Sequence, residues 1–239
     1  MALMTLRELN DDIVNDDRWP TMTPDGQVRL SADETIRWRG RATVSESRRH
    51  QGQASERVWS LTEPADILVT DQRLVFSCAK FQKGSTWFGF GMIGAPVALA
   101  ATGISHARAA RRRQGKVAVG QIRFEWPLNV TLQTQKVLGS PTGVLSLTCV
   151  DEGATTFLHL TMTRSVTSYQ PDHVAADVAQ GLASDIARFR LSLRAASLEP
   201  AQLEELQAQR DAPAATVTGE SLVYRLPGAL RLGARTRQS

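Results

Sequence analysis

For most of its length the chain alternates apolar and polar residues over short runs, and it shifts to a three- and four-residue period only near residue 172. The first alternating run is 35–44. Ile36, Trp38, Ala42 and Val44 fall on one side and Arg37, Arg39 and Arg41 on the other, which predicts a strand with one buried and one wet face. A polar loop is expected over 45–56, holding Arg48, Arg49 and His50, followed by a second strand at about 57–61. In 66–78, two runs of β-branched, aromatic and other apolar residues flank Asp71-Gln72. A break that short allows only an antiparallel return, so the stretch predicts a tight hairpin. Strand patterning resumes over 115–162. Within 122–132 every even position is apolar and every odd one is polar or proline. Pro127 cannot donate to a ladder and marks an edge, a bulge or a strand break. Two further strands, 144–150 and 155–162, enclose a turn with Gly153.

The helical period runs over 172–196. Val174, Val178, Leu182, Ile186, Phe189 and Leu193 form one apolar stripe, and Pro171 with Asp172 suits a helix start. Such a helix cannot bury its stripe alone and is expected to plug the open end of a curved sheet. A second, polar helix is expected over 199–211, started by Pro200. The tail 213–239 is Ala/Pro/Thr-rich and then basic, with Arg225, Arg231, Arg235 and Arg237, and is expected to be largely disordered. In the acidic stretch 1–33, Leu3, Leu6, Leu9 and Ile13 could line a short helix, and the rest reads as tail or loop. The predicted core is Leu68, Leu74, Phe76, Phe124, Trp126, Leu158, Leu160, Ile186 and Phe189.

Leu68-Val69-Thr70 followed by Arg73-Leu74-Val75-Phe76 resembles the L-x-x-T-x-x-R-L hairpin of GRAM and bacterial PH-like domains. More strands and then one amphipathic helix follow, which is the element order of that superfamily. The resemblance covers about 34–196. It implies an α+β fold: an antiparallel β-sandwich or barrel capped by a C-terminal amphipathic helix. It also implies an adaptor-type function, without cofactor, through a protein partner or anionic lipid headgroups. Arg48, Arg49 and His50 would then lie in the first inter-strand loop, where PH-like lipid binders often place basic residues.

Composition adds bounds. A chain of 239 residues fits one domain with additions or two small ones, and 42% apolar residues suffice for a core. The net charge of +4 leans toward anionic partners. It is unevenly spread: 1–33 carries three basic and seven acidic groups, whereas 105–116 carries Arg108, Arg111, Arg112, Arg113 and Lys116 with no acid. Cys78 and Cys149 lie in strand-like runs and read as buried, reduced thiols. No Cys/His spacing suggests zinc. Acidic residues arrive too soon after Met1 for a signal peptide, so the expectation is a cytoplasmic protein, either free or peripheral at the inner face of the membrane. Arginine outnumbers lysine and alanine is frequent, a composition associated with GC-rich bacterial genomes.

The segment 84–116 departs from the PH-like pattern, where this connection is usually short. From 84 to 107 no residue is charged, taking His106 as neutral, and the arginines follow at once. Three readings are open. Gly89, Gly91 and Gly94 match G-x-G-x-x-G, whose glycines let backbone approach a pyrophosphate at a helix N-terminus, but that motif requires a strand directly before it. A transmembrane helix is a second reading. It is borderline in length, contains Pro96, and would put two halves of one sheet on opposite sides of a membrane unless it re-enters. The preferred reading is a glycine-rich apolar helix or hairpin packed on its own domain, on a partner copy, or on a membrane surface. Trp87, Phe88 and Phe90 would then be the contact residues beside Arg108–Arg113, and a homodimer through the insertion is one outcome. Nucleic acid ranks below lipid, because no aromatic stacking set interleaves the arginines.

Catalytic chemistry is sparse. The histidines are His50, His106, His159 and His173. His159 lies opposite the Leu158/Leu160/Met162 face and is expected to point outward, His173 is at a helix start, neither of these two neighbours an evident nucleophile or paired acid, and Asp151-Glu152 sits in a turn. No enzyme activity is expected, the alternative being an NAD(P)-binding enzyme using the 89–94 loop.

Overall fold

The computed structural model describes residues 3–8, 19–23, 26–61, 63–78, 116–137, 140–162, 171–212 and 221–234. Its strands are β1 (Met4–Glu8), β2 (Ile36–His50), β3 (Glu56–Ser60), β4 (Ala65–Thr70), β5 (Arg73–Cys78), β6 (Lys116–Arg123), β7 (Pro127–Val137), β8 (Ser140–Asp151), β9 (Ala154–Met162) and β10 (Leu222–Arg225). Among the described residues the α-helices are α1 (Pro171–Arg194) and α2 (Pro200–Arg210). Among the described residues all strand pairings are antiparallel, in the order β1-β6-β5-β4-β2-β9-β8-β7-β10, with β3 paired to β2. The result is an α+β protein built mostly of antiparallel sheet. Among the described residues β1 and β10 are the two ends of the path, and the sheet does not close.

The long strand β2 organises the sheet. Along one edge it pairs β4 over 36–42 and β3 over 45–48, and along the other it pairs β9 over 42–50. The alternation of Ile36–Val44 continues past the point where a polar loop is expected, so Arg48, Arg49 and His50 belong to the strand and the loop shrinks to 51–55. The sequence hides this because Glu46 occupies an inward position. Its carboxylate is 0% exposed and accepts hydrogen bonds from the Leu3 backbone N–H (3.0 Å), the Trp59 indole and Arg48 Nη2 (3.2 Å). A buried carboxylate is tolerated when it is hydrogen-bonded and paired in this way.

The N-terminal stretch supplies β1 against β6 instead of a helix, with Leu3 buried beside it. Gly120 permits this approach, since a Cβ there would run into the Leu3 carbonyl and the Phe76 ring.

The hairpin β4–β5 forms as the pattern predicts. Its inner face is set by Leu74 and Phe76, whose cross-strand partners are Val69 and Ile67. Those two are buried, whereas Leu68, expected inside, is half-buried on the opposite face. The polar residues of the signature hold the turn. Thr70 Oγ1 accepts from the backbone N–H groups of Gln72 (3.2 Å) and Arg73 (3.1 Å). Arg73 makes a two-pronged contact with Glu34 (Nε–Oε1 and Nη2–Oε2, both 2.7 Å) and donates to Gln121 Oε1 at 2.8 Å. Burial alone would raise the Glu34 pKa, but the Arg73 hydrogen bonds and charge bring it below the ordinary carboxylate value.

Pro127 proves to be a strand break. β6 ends at Arg123, the chain turns through Phe124 and Trp126, both buried, and Pro127 opens β7.

Helix α1 packs on β7 and β8. Its buried face is mostly alanine (Ala175, Ala176, Ala179, Ala183 and Ala187) together with Leu182 and Ile186. Small side chains let helix and sheet approach closely, so that a Cβ on Gly143 of β8 would sit 2.8 Å from that of Ala175. Phe189 is half-buried, edge-on to Phe124 at 5.9 Å. Leu193, assigned to the stripe by periodicity, is 44% exposed because it lies past the alanine face.

Arg190 replaces it at the centre. This side chain is 1% exposed and donates to four backbone carbonyls: Phe124 (3.0 Å), Pro127 (2.6 Å), Leu226 (2.6 Å) and Pro227 (2.9 Å). Burial lowers its pKa to about 10, which leaves it cationic at neutral pH. Nearby Cys149 is pushed up to about 12 by burial, and both cysteines are buried, as the sequence suggests. Two of Arg190's acceptors lie in the C-terminal segment. That segment was expected to be disordered, but β10 pairs with β7, and Leu226 and Leu232 are buried. Backbone bonds Leu226 N–H to Leu128 O (2.9 Å) and Leu230 N–H to Glu125 O (2.7 Å) continue the attachment.

Candidate functional site

Two concavities and one polar cluster hold the candidate residues. The first concavity, about 680 Å³, lies between the turn after β2 and the β8–β9 turn, and Arg49, His50 and Arg231 line it. Arg231 is drawn in by the bond from Leu232 N–H to Val150 O at 2.7 Å. No sequence signal placed it there, because nothing local links the tail to β8. The Arg49 guanidinium stacks over Phe157 at 5.4 Å. Arg48 faces the other way and spends its charge on Glu46. Asp151 and Glu152 also line the cleft, so the formal charges of two arginines and two acids cancel. Asp151 Oδ1 accepts the Glu152 N–H at 2.8 Å, which holds it in the turn.

The second concavity is a more enclosed groove of about 360 Å³ between α1 and the start of β2. Trp38, Val69, Val178 and Leu182 supply apolar surface, with Arg37, Asp177 and Asp185 as its charged groups. The Trp38 ring lies along its own strand over Gly40, where any Cβ would collide with it. Asp185 pairs with Arg188 Nη1 at 2.8 Å and lies 4.0 Å from Arg37 Nε. Burial raises the Asp185 pKa despite those two arginines. Between the acids sits Gly181, where a Cβ would meet nothing within 4 Å. An apolar concavity of a few hundred Å³ with a few placed polar groups is the usual form of a binding site. The sequence analysis placed Arg37, Trp38, Val178 and Leu182 only on a strand or in a helix stripe and not in a site, because the groove is lined from three elements far apart in the chain.

The polar cluster centres on His159, which the sequence assigns to the outer face of β9. It is on that face but half-buried. Ser47 Oγ lies 2.7 Å from Nε2 and Ser146 Oγ 2.8 Å from Nδ1. No local pattern points to these serines, which β2 and β8 bring in from either side. With a serine on each ring nitrogen, neither is left for the carboxylate that would orient a catalytic base. Burial, and then the charge of Arg57, lowers the His159 pKa below its ordinary 6.5. As pH falls through 6.5 the unfolded chain takes up this proton before the folded one. The associated stability is therefore full above that pH and is lost on acidification. Between about pH 7.5 and pH 5.5, His159→Gln is expected to lose less of its urea midpoint than the wild type. Equal losses would show that the imidazole titrates alike in both states.

The remaining sequence candidates, Trp87, Phe88, Phe90, Arg108, Arg111, Arg112 and Arg113, lie outside the described residues, as does the 89–94 glycine motif. Lys116 opens β6 opposite Glu8 of β1. The strand preceding the glycine motif, β5, is antiparallel to both of its neighbours. Among the described residues no helix is long and apolar enough to cross a membrane, and no cluster of three His, Cys, Asp or Glu could hold a metal. The class defined here is an antiparallel α+β protein with a helix packed across its sheet. In comparison with known proteins, the chain matches no family model, no curated protein and no solved structure.

Proposed function

We propose that this chain is a non-enzymatic, PH/GRAM-like interaction module, and that the groove between α1 and β2 receives a segment of a protein partner. The PH-like reading is supported by the order of strands and helix and by the Thr70/Arg73 hairpin. The observation that carries the function is the groove: apolar surface from Trp38, Val69, Val178 and Leu182, with carboxylates beside it. An anionic membrane is a poorer occupant of a groove with two acids. The cleft of Arg49, His50 and Arg231 favours the membrane reading, but its acids offset its arginines.

A photo-crosslinking residue at Asp177, on the exposed side of α1, tests the proposal in cells. A discrete adduct is expected, and Gly181→Leu, which fills the groove, should remove it. Wild-type protein should sediment equally with neutral and anionic vesicles. Sedimentation with anionic vesicles alone, abolished by Arg49→Glu with Arg231→Glu, would transfer the function to the cleft and overturn the groove reading.

A further inference from the structure

We infer that the face of the sheet turned away from α1 binds a single-stranded nucleic acid, laid across β3, β2, β9, β8, β7 and β10. This surface is separate from the groove, which α1 itself helps to line.

Strand register defines the face. Helix α1 lies over the side that carries Gly143, with Leu145 and Leu147 buried on that same side, so the alternate residues of these strands point away from it. Cross-strand pairing places Arg57, Ser47, Phe157, Thr148, Asn129 and Arg225 in one outward row. Five steps of about 4.8 Å between strands make the row about 24 Å long, with an arginine at each end. Arg49 stands two residues along β2 from Ser47, beside Phe157. Thr148 is buried, Ser47, Phe157 and Asn129 are half-buried, and the arginines are exposed.

The first observation is charge. Among the described residues no carboxylate pairs with Arg49, Arg57 or Arg225. The outward positions of β2 from Thr43 onward, and those of β7, β8, β9 and β10, include no acid. The nearest acids lie at one end, Asp151 and Glu152 in the β8–β9 turn and Glu56 opposite Arg48. Three unpaired cations along an acid-free polar surface suit a chain of phosphates.

The second observation is the aromatic set. Along the sequence no ring interleaves the arginines, but in the sheet β9 supplies two. Phe157 and His159 project side by side, their ring planes 7° apart and their centroids 6.1 Å apart. The Arg49 guanidinium lies 5.4 Å from the Phe157 centroid, and Arg57 is close enough for its charge to act on His159. Ser47 and Ser146 hold the imidazole from both sides, at 2.7 and 2.8 Å, so the platform is fixed before a ligand arrives. Bases of any identity stack on aromatic rings and guanidinium planes while neighbouring arginines meet the phosphates. A membrane suits this face less well. Interfacial binding needs apolar side chains that enter the headgroup boundary, and the large exposed groups of this row are arginines.

The probe is a fluorescein-labelled oligouridylate of 12 nucleotides, and its binding to the full chain is read by anisotropy. The affinity is expected to fall with salt at a log–log slope of about −2, for three phosphate contacts at about 0.7 each. Arg57→Gln with Arg225→Gln should bring the slope to about −0.7 and weaken binding at least tenfold in 0.1 M salt, with Tm unchanged. Phe157→Leu should weaken binding at least fivefold at an unchanged slope, because stacking involves no counterion. Phe157→Tyr, which keeps the ring, should bind within about twofold of wild type. A duplex of the same length should bind at least tenfold less well, since its bases are already stacked. Absence of oligouridylate binding, or equal affinity for the duplex, would overturn the inference. Full affinity in Phe157→Leu would make the face a general polyanion surface and overturn base stacking. Capture by anionic vesicles that Arg57→Gln with Arg225→Gln abolishes, without oligouridylate binding, would give the face to a membrane. Binding that these variants leave intact, but that is lost when Arg111, Arg112 and Arg113 become glutamine, would place the nucleic acid elsewhere on the chain and overturn the inference.

Discussion

Arg190→Leu is expected to lower the unfolding free energy by about 3–5 kcal/mol, read as a shift of the urea midpoint at unchanged slope. Buried ion pairs can often be replaced by apolar residues at little cost, because both charges leave together. That escape is closed here. The partners of Arg190 are the backbone carbonyls of Phe124, Pro127, Leu226 and Pro227, which no side-chain substitution removes. Leucine would leave them buried beside an apolar group. Arg190→Lys keeps the charge but presents its donors from one point, and cannot reach four acceptors spread around a planar fork. It is expected to fall between wild type and Arg190→Leu. A Leu variant within about 1 kcal/mol of wild type would show that water or rearrangement satisfies the carbonyls, and that the clamp is dispensable.

Ending the chain at residue 220 is expected to cost on the order of 5 kcal/mol or more, comparable to the whole stability of many domains. The deletion removes β10 from the edge of β7 and takes away buried Leu226 and Leu232. It deletes two of the four acceptors of Arg190 and the carbonyl of Ala234 that the Trp126 indole reaches at 2.7 Å. It also uncovers a strand edge, which invites association. Circular dichroism and light scattering on heating would show an early melt with aggregation. A truncated chain melting within a few degrees of the full one would mean that 221–234 is an ornament on the sheet, as its composition suggests.

These two expectations mark where the sequence could and could not be read. The hairpin around Asp71-Gln72 was legible because both strands and the turn lie within one short window. Helix α1 was legible because its period persists over six turns. The face it buries was misjudged at its end, since alanine and arginine carry little weight in a hydrophobic stripe. Glu46 and Arg48 ended the predicted strand early for the same reason: both are polar, and Glu46, which holds Arg48, has its other partners, Leu3 and Trp59, elsewhere in the chain. In the cleft, Arg49 and His50 stood out as a local cluster, whereas Arg231 joins them only after 180 residues of intervening chain have folded. The groove was invisible, because a concavity is a relation between elements and leaves no pattern in any one of them.

The sequence by itself determined the local structure. It set the two-residue alternation of the strands, the turn at Asp71-Gln72, the break at Pro127 and the start of α2 at Pro200, since each depends on backbone preference or on neighbours a few residues away. Tertiary structure decided which polar groups could be buried and which tail would be ordered. Glu34, Glu46 and Arg190 are stable inside because distant segments bring hydrogen-bond partners to them. Residues 221–234 are ordered because β7 offers an edge and Arg190 a fork of donors. Desolvation is a property of the assembled core, so its cost and its compensation arise only once the sheet and α1 have met.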